Sequence, residues 1–428
     1  MKQFNIAIVG LGQIGNYLYN ELLIKKRDIE TKTGKKIKLV AISAKNKNKK
    51  RKFKINKNIF YSNPLNIIKN NKVDILIEAI GFSDGLSKKI VEKALKNKIH
   101  VITPNKALIS KHGDYLSYLA EKNKVNLEFE AAVAGGIPIV RTIKEGLATN
   151  KITKVYGILN GTCNYILSQM EKTKDSFANV LKNAQKLGYA EPGNPKLDLN
   201  GYDALAKVKI LSALAFNSKI SKSKSLMEGI ERIDASDFNI VERLNLRIKL
   251  LGITEIINNQ IFERVHPCLV TKDSYIGNVT DVMNAVILEG KPVGESVMQG
   301  EGAGPGPTTS ALMSDLLSIL RGNIKYPFGI SNNKRKIAKN YNYKSFENSL
   351  YLRVEVKDKQ GVLSSITNIL SKNNISVQRL IQIPNNKTKT ASIVIITHKC
   401  KEIDSAKCIK AFKNNSNVIR EPNLIRLF

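Results

Sequence analysis

The first third of the chain alternates short apolar runs with glycine turns and amphipathic stretches. Runs that are apolar on both faces and alternate with helical patterns are typical of a parallel sheet covered by helices on both sides. The predicted strands are residues 4–9, 37–42, 73–80, 100–103 and 126–131, and the predicted helices end at residue 23 and span 85–97. The pattern therefore predicts an α/β domain with a doubly wound parallel sheet over residues 1–128.

The middle of the chain mixes strand and helix patterns less regularly. Strands are predicted at 154–159 and 262–270, and helices at 177–187 and 203–216. A glycine- and proline-rich segment, 300–307, then precedes an amphipathic helix at 308–320. The pattern predicts a second domain of α/β or α+β type over 129–330.

A polar, lysine-rich stretch at 331–347 is predicted to be a linker, and the strand pattern restarts after it. The predicted elements are strand 350–356, helix 362–373, strands 375–383 and 391–398, helix 403–413 and a last strand near 417–421. This order is that of a ferredoxin-like βαββαβ unit, so we predict a third domain over 348–428.

Composition describes an ordinary globular protein that is too long for one core. The 428 residues are 42% hydrophobic and 25% charged, which favours two or three domains. The formal charge of +33 comes from lysines spread along the whole chain among asparagine and isoleucine, which indicates a compositional bias. We therefore expect no specific nucleic-acid partner. Nucleic-acid binding stays open as an alternative that moderate salt would test.

The sequence favours a cytoplasmic location. The N-terminus passes straight into a strand without a signal-peptide pattern, and no apolar stretch is long enough to span a bilayer, so no membrane partner is expected. The four cysteines lack metal-ligand spacing and are interpreted as reduced thiols: Cys163, Cys268, Cys400 and Cys408.

A glycine motif follows the first predicted strand and opens the first predicted helix. In a Rossmann-type βαβ unit this motif binds the pyrophosphate of a dinucleotide at the helix N-terminus. The predicted cofactor-binding residues are Gly10, Leu11, Gly12, Gln13, Ile14 and Gly15.

The end of the second strand indicates which nicotinamide cofactor binds. Sites that prefer NAD usually place an acidic residue there, whereas this chain has Ser43, Ala44 and Lys45. A lysine suits a 2′-phosphate, so we predict NADP(H), with Lys45 among the cofactor-binding residues and NAD as the alternative cofactor. The competing interpretation is that Lys45 only reflects the general lysine bias.

Residues 188–211 gather three carboxylates around one lysine in a turn-rich loop that leads into a helix: Glu191, Asp198, Asp203 and Lys207. Asp203 and Lys207 are four residues apart, so they share one helix face. A lysine held by a carboxylate can donate a proton while another carboxylate binds an amino group. The competing interpretation is a capped helix with a solvated ion pair, which is common and weak.

Lys106 follows another strand end. Residues 103–105, Thr-Pro-Asn, form a turn immediately before it. Ligands of open α/β sheets bind at the carboxyl ends of the strands, so Lys106 is predicted to point into the crevice. Solvated surface lysines are the commoner case.

Six segments closely resemble the homoserine dehydrogenase family, in consistent order over residues 1–330. They are the glycine motif, VITPNKAL (101–108), FEAAVAGGIP (129–138), GILNGTCNYIL (157–167), residues 188–211 and GAGPGPTTSALMSDL (302–316). The unit from residue 349 resembles an ACT domain, with Asp358 and Gly361 at its strand-to-helix turn.

The resemblance implies NADPH-dependent, reversible reduction of L-aspartate 4-semialdehyde to L-homoserine, in threonine, methionine and isoleucine biosynthesis. Lys207 matches the family's proton donor and acceptor, and Asp203 matches a second catalytic acid near the substrate. Lys106 matches a catalytic lysine that contacts both the cofactor and the substrate, so it is also a predicted cofactor-binding residue. Glu191 matches the ligand of the homoserine amino group, with Asp198 as a second substrate-binding acid. The loop at 192–195 is one residue longer than usual, with Asn194 in place of an aspartate.

The resemblance also implies that residues 129–330 form a catalytic and dimerisation domain whose last helix, 308–320, returns to the first domain. It further implies a structural sodium ion, an effector and an oligomer. Sodium would bind the backbone of Glu130, Val133, Gly135 and Ile137. We expect an amino-acid effector, threonine first, at the ACT domain, a homodimer or homotetramer, and a folded, active enzyme without residues 348–428. The alternative class is a nicotinamide- or amino-acid-sensing protein that has lost catalysis, which a turnover assay would distinguish.

Overall fold

The computed structural model describes residues 1–70, 72–193, 195–385 and 387–428. Two large sheets dominate it, one of six parallel strands and one of ten strands. Within the described ranges, none of the helices is both long enough and apolar enough to cross a bilayer.

The first sheet has the strand order β3-β2-β1-β4-β5-β6. Strands β2 and β3 are added on one side of β1 and the later strands on the other, so the strand order reverses between β1 and β4. Its strands are β1 (Gln3–Val9), β2 (Lys36–Ser43), β3 (Phe60–Tyr61), β4 (Ile75–Glu78), β5 (His100–Ile102) and β6 (Leu127–Glu128). Its helices are α1 (Gln13–Ile24), α2 (Lys26–Thr33), α3 (Leu65–Asn70), α4 (Leu86–Lys96) and α5 (Lys106–Lys122). The predicted Rossmann-type sheet is thus confirmed. The strand predicted to reach residue 131 is wrong beyond β6, because a 3-10 turn at 130–132 turns the chain away.

The second sheet begins with five strands in the order β12-β11-β7-β9-β10. Its strands are β7 (Lys151–Ile158), β8 (Leu226–Met227), β9 (Leu246–Ile257), β10 (Gln260–Thr271), β11 (Met283–Lys291) and β12 (Gly294–Glu301). The helices of this region are α6 (Ile139–Arg141), α7 (Gly161–Thr173), α8 (Phe177–Lys186), α9 (Lys196–Leu199), α10 (Tyr202–Ala215), α11 (Ala235–Arg243) and α12 (Pro305–Leu320). Helix α10 packs on β9 and β10, which fixes the face that carries the candidate site. Helix α12 packs on α1, and its Leu312 and Leu316 share a buried cluster with Ile6 of β1.

The C-terminal region is the predicted βαββαβ unit. Its elements are β13 (Glu347–Asn348), β14 (Leu350–Lys357), α13 (Val362–Lys372), β15 (Val377–Asn385), β16 (Thr390–Thr397), β17 (Cys400–Lys401), α14 (Glu402–Lys413) and β18 (Asn423–Leu427). The last strand is not near 417–421, because Val418 makes only an isolated bridge to Val356. The pairing strand is β18, whose residues register with β14.

Strand β18 makes the C-terminal unit continuous with the second sheet. It pairs in parallel with β10, with Cys268 opposite Arg426 and Leu269 opposite Leu427, and it pairs with β14 on its other side. The preceding segment, 331–347, also lies against the middle region, because Arg335 stacks on Phe328. The expectation that residues 348–428 are dispensable for folding does not fit these contacts.

Candidate active site

Helix α10 presents Asp203 and Lys207 at its N-terminal end. The helix starts after Gly201, whose φ of +85° favours glycine, and Asp203 in the first turn suits the positive end of the helix dipole. Lys207 Nζ lies 2.8 Å from Asp203 Oδ2 and donates to the Leu159 carbonyl at 2.6 Å. The side chain of Lys207 is only 9% exposed, so the pair is not the solvated surface pair of the competing interpretation.

Lys106 reaches the same carboxylate from the other sheet. It is the first residue of α5, at the carboxyl edge of the parallel strands, and its Nζ lies 3.0 Å from Asp203 Oδ1. The Asn105 side chain caps this helix by accepting from the Leu108 amide at 3.0 Å. Asp203 therefore holds one lysine on each of its oxygens.

Asn160 joins the two aspartates and has no role in the sequence prediction. Its Nδ2 donates to Asp198 Oδ1 at 2.8 Å and to Asp203 Oδ2 at 3.0 Å. Its Oδ1 accepts from the Cys163 amide at 2.8 Å, which caps α7. An asparagine between a strand and a helix is a recognisable capping signal. Its contacts with the aspartates are tertiary and leave no such signal.

A buried polar cluster supports the turn that carries Lys106. Glu78 ends β4, accepts from the Thr103 hydroxyl at 2.6 Å and accepts from the Ser87 hydroxyl at 2.8 Å. The Asn105 amide donates to Ser87 Oγ at 2.9 Å. These bonds tie the ends of β4 and β5 together and fix where α5 begins.

The charges at the site are strongly coupled. Burial alone would raise the pKa of Asp203, yet attraction to Lys207 and Lys106 outweighs it and holds that pKa well below its usual range. Asp203 in turn raises the pKa of Lys106. Burial, reinforced by the charge of Asp203, raises the pKa of Asp198. The two aspartates thus differ in acidity although Asn160 bonds both.

Glu191 stays at the exposed edge of this group. Its backbone carbonyl accepts from Gln185 Nε2 at 3.1 Å, and the charge of its carboxylate raises the pKa of Lys106 less than the charges of Asp203 and Asp198 do. Asn194 lies outside the described residues, and with it the middle of the longer loop. The structure therefore brings together Lys106, Asp198, Asp203 and Lys207 without bringing Glu191 into contact with them.

The glycine motif forms a tight turn from β1 into α1, with the helix and strand packed closely together. Gly10 has a φ of +99°, and a Cβ there would lie 2.3 Å from the Ala79 carbonyl oxygen. A Cβ on Gly15 would lie 1.9 Å from the Gly10 carbonyl oxygen, so neither position tolerates a side chain. Around Gly12 there is open space, which leaves the backbone free to approach a phosphate as α1 begins at Gln13.

A cavity of about 620 Å³ adjoins this turn. Its lining includes Leu11, Gly12, Gln13, Lys49, Lys50, Arg51, Lys52, Phe53, Pro305 and Gly306. Arg51 folds over the turn, with Nε donating to the Leu11 carbonyl at 3.3 Å and Nη2 to the Asn46 carbonyl at 2.6 Å. Lys45 is exposed and does not line the cavity. The dense lysine run indicates positive charge near the glycine turn, but the sequence alone does not distinguish Arg51 from its neighbours.

The loop predicted to bind sodium turns sharply and offers backbone oxygens. Gly135 has a φ of +51°. The Glu130 carbonyl accepts from the Val133 amide at 3.3 Å, and the Ile137 carbonyl accepts from the Ile139 amide at 2.8 Å. A carbonyl oxygen has two lone pairs, so these groups keep an acceptor site that suits a hard cation. Among the described residues, no group of three or more His, Cys, Asp or Glu side chains could hold a metal ion.

The strand-to-helix turn of the C-terminal unit has the expected form. Gly361 has a φ of +83° and stands at the start of α13, and Gln382 Nε2 donates to Asp358 Oδ1 at 3.4 Å across the turn. Asp358 is exposed, so its carboxylate is accessible at the surface.

Three family models match the chain in the order of its structural regions. The NAD-binding domain of homoserine dehydrogenase matches residues 10–130, and the homoserine dehydrogenase model matches 138–317. An ACT domain matches 350–417.

Relatives match over the full chain. The homoserine dehydrogenase of Neisseria gonorrhoeae is 37% identical and covers 100% of this chain and 99% of its own length. That of Pseudomonas aeruginosa is 35% identical and covers 93% of both chains. The solved structure of a homoserine dehydrogenase from Thiobacillus denitrificans has a TM-score of 0.90 at 33% identity, covering 100% of this chain and 99% of that one. The chain therefore belongs to the homoserine dehydrogenase family and carries an ACT domain at its C-terminus.

Proposed function

We propose that the chain reduces L-aspartate 4-semialdehyde to L-homoserine reversibly with NADPH, as a step of threonine, methionine and isoleucine biosynthesis. One observation carries the proposal: Asp203 holds two lysines at the carboxyl edge of a sheet whose first turn is shaped for a dinucleotide. An ammonium beside a nicotinamide site can stabilise and protonate the alkoxide that forms when an aldehyde is reduced.

Lys207 is the proposed proton donor. An ammonium has three N–H groups, and two of those of Lys207 are used by Asp203 and the Leu159 carbonyl. The third is free to donate to the substrate oxygen, and the fixed partners determine its direction. In the oxidation of homoserine the same nitrogen, once deprotonated, takes the hydroxyl proton.

Lys106 is proposed to stabilise negative charge on the substrate oxygen. Its side chain is 43% exposed and is held at one end by Asp203, so the ammonium can also contact a ligand in the crevice. Bound NADPH would supply the hydride to the aldehyde carbon. Asp203 contributes by holding both lysines in position, one on each carboxylate oxygen.

The segment 188–201, which precedes α10, is called the substrate loop, and its carboxylates are proposed to bind the substrate ammonium. We assign this role to Glu191, with Asp198 as a second acid. Asn160 fixes the orientation of Asp198, whereas Glu191 is exposed and can move toward a ligand.

The preference for NADP(H) over NAD is supported by the basic segment around the glycine turn. Four consecutive cationic residues, 49–52, line the cavity beside Gly12, where a 2′-phosphate would add two negative charges. Arg51 is the residue best placed for this contact, because it is already bonded to the turn through the Leu11 carbonyl. Lys45 would contribute from the exposed end of the loop.

Sodium binding is proposed at the backbone of Glu130, Val133, Gly135 and Ile137, where the ion would fix the loop that leads into α6. The test is thermal: sodium chloride should raise the Tm above that in choline chloride at equal ionic strength, since a ligand of the folded state alone stabilises it. Equal Tm values in the two salts would refute the site.

We further propose a cytoplasmic homodimer or homotetramer whose ACT domain binds an amino-acid effector, threonine first. The exposed Asp358 beside Gly361 supports an effector site at this turn. Such an effector acts only through different affinities for two states of the enzyme.

The deciding experiment is a steady-state assay of the purified chain with aspartate semialdehyde and each cofactor, and with homoserine in the reverse direction. We expect turnover in both directions and a higher kcat/KM with NADPH than with NADH. Binding of NADPH without turnover would instead favour a sensing protein that has lost catalysis.

A further inference from the structure

We propose that Glu228 and Arg426 are positioning residues, through which the last strand of the ACT domain holds the substrate loop of the active site. The consequence for catalysis depends on the proposed function. The contact itself is independent of that function.

Arg426 is the central residue of a buried ionic cluster between the domains. Its Nη1 and Nη2 both lie 2.8 Å from the Glu228 carboxylate, one nitrogen to each oxygen. On its other side, Nε lies 2.5 Å and Nη2 2.8 Å from the two oxygens of Glu402 at the start of α14. The Arg426 side chain is 3% exposed, and such paired, charge-assisted bonds are the strong ones.

Glu228 lies in a segment that is hydrogen-bonded to the loop that carries Asp198. It follows β8 directly, and its amide donates to the Val265 carbonyl at 2.8 Å. Two residues further on, the Ile230 amide donates to the Leu199 carbonyl at 3.0 Å. Leu199 is the neighbour of Asp198, so a backbone bond joins the segment at 228–230 to the substrate loop.

There is no free space in this contact. A Cβ on Gly229 would lie 2.2 Å from the Leu199 carbonyl oxygen and 2.7 Å from the Asn200 Cα. A Cβ on Gly201 would lie 2.9 Å from a methyl group of Val265. The same Cβ would lie 3.5 Å from Met227 Cγ and 3.6 Å from the Glu228 carbonyl oxygen, so this segment packs directly against the start of the helix that presents Asp203 and Lys207.

The cluster also borders open space on its other side. A cavity of about 570 Å³ is lined by Asn200, Glu228, Glu402 and Arg426, among others. The segment therefore has room to move outward once the ion pair weakens, and tight contact prevents it only from moving inward.

A second ionic cluster provides a matched control. Arg353 of β14 lies 2.6 Å from Asp237 of α11, and Asn423 donates to the same carboxylate at 2.7 Å. This cluster joins the same two domains, yet α11 does not continue into the substrate loop. Arg353→Lys should therefore weaken the domain contact without releasing residues 195–203.

The test compares Glu228→Gln with Arg353→Lys in the full-length protein. Hydrogen exchange of the backbone amides of residues 196–203 should become faster in Glu228→Gln and stay at the native rate in Arg353→Lys. In the same proteins, KM for homoserine should rise about five-fold in Glu228→Gln alone, with the Kd for NADPH unchanged, since the ion pair becomes a weaker hydrogen bond between the charged Arg426 and a neutral amide. Glu228→Asp, which keeps the charge, should restore part of the KM.

The exchange measurement does not require turnover, so it distinguishes this proposal from the proposed function. Faster exchange in a protein that fails to oxidise homoserine would support the contact and refute the proposed function. Native exchange rates at 196–203 in Glu228→Gln, or equal acceleration in both variants, would overturn the proposal. An unchanged KM in an active enzyme would show that the contact has no effect on substrate binding.

Discussion

Replacement of Lys207 by alanine tests the assignment of the proton donor. The change removes the ammonium that bridges Asp203 and the Leu159 carbonyl. Asp203 keeps Lys106 at 3.0 Å and Asn160 at 3.0 Å, so its charge stays compensated and the fold should survive. The stability loss should be about 1–3 kcal/mol, the cost of leaving a buried carbonyl without its donor.

The catalytic loss should be much larger than the structural one. General acid catalysis contributes about 10²–10⁴-fold, so kcat should fall by that factor, which equals about 3–5 kcal/mol of transition-state stabilisation. The Kd for NADPH should stay nearly native, because Lys207 is proposed to contact the substrate oxygen and not the cofactor. The assay is steady-state kinetics in both directions, with NADPH binding followed by fluorescence titration.

The same helix supplies a control. Lys209 donates to the Ser221 carbonyl at 3.1 Å and makes no contact with Asp203. Lys209→Ala therefore loses a comparable lysine-to-carbonyl bond, and we expect near-native kcat from it. A kcat of Lys207→Ala within about ten-fold of native, where catalysis by a general acid is worth more, would refute the assignment. Equal losses in the two variants would indicate a structural effect.

Three further predictions follow from the site and the domain contacts. Glu191→Ala should raise the KM for homoserine, since a bound ammonium would lose its carboxylate; an unchanged KM would exclude Glu191 as the amino-group ligand. Lys45→Asp should shift preference toward NADH, but less than Arg51→Asp, because only Arg51 lines the cavity beside the glycine turn; equal NADPH-to-NADH ratios of kcat/KM in both variants and the native chain would refute both roles. Removal of residues 348–428 should lower the Tm, contrary to the expectation from sequence, because it would expose to water the apolar residues that pack on Tyr351 and Ile425 and the edge of β10 that pairs with β18; an unchanged Tm would refute this.

The sequence by itself determined the features that depend on local spacing. Alternating strands and helices predicted the parallel sheet, and the glycine motif after β1 predicted its turn. The four-residue spacing of Asp203 and Lys207 placed them on one helix face, and the structure joins them at 2.8 Å. Each of these follows from the period of a helix or strand, which is fixed within a few residues.

Only the tertiary structure decided which distant groups meet. Lys106 and Asp203 lie on different domains, and their contact depends on how α10 packs against α5 of the first domain. Asn160 carries a local capping signal, yet its bonds to both aspartates come from packing. In the sequence Arg51 is one of many cationic residues, and only the folded loop shows that it bonds to the Leu11 carbonyl at the glycine turn.

The end of the chain shows the same limit most clearly. The sequence predicted the βαββαβ order but set the last strand near 417–421 and the unit apart from the enzyme. Strand choice was decided by pairing on both sides of β18, with β14 and with β10, which no local pattern encodes. The ion pair of Arg426 with Glu228 depends on the same pairing, because β18 places Arg426, whose side chain is 3% exposed, against the half-exposed Glu228. A buried charge needs such a partner.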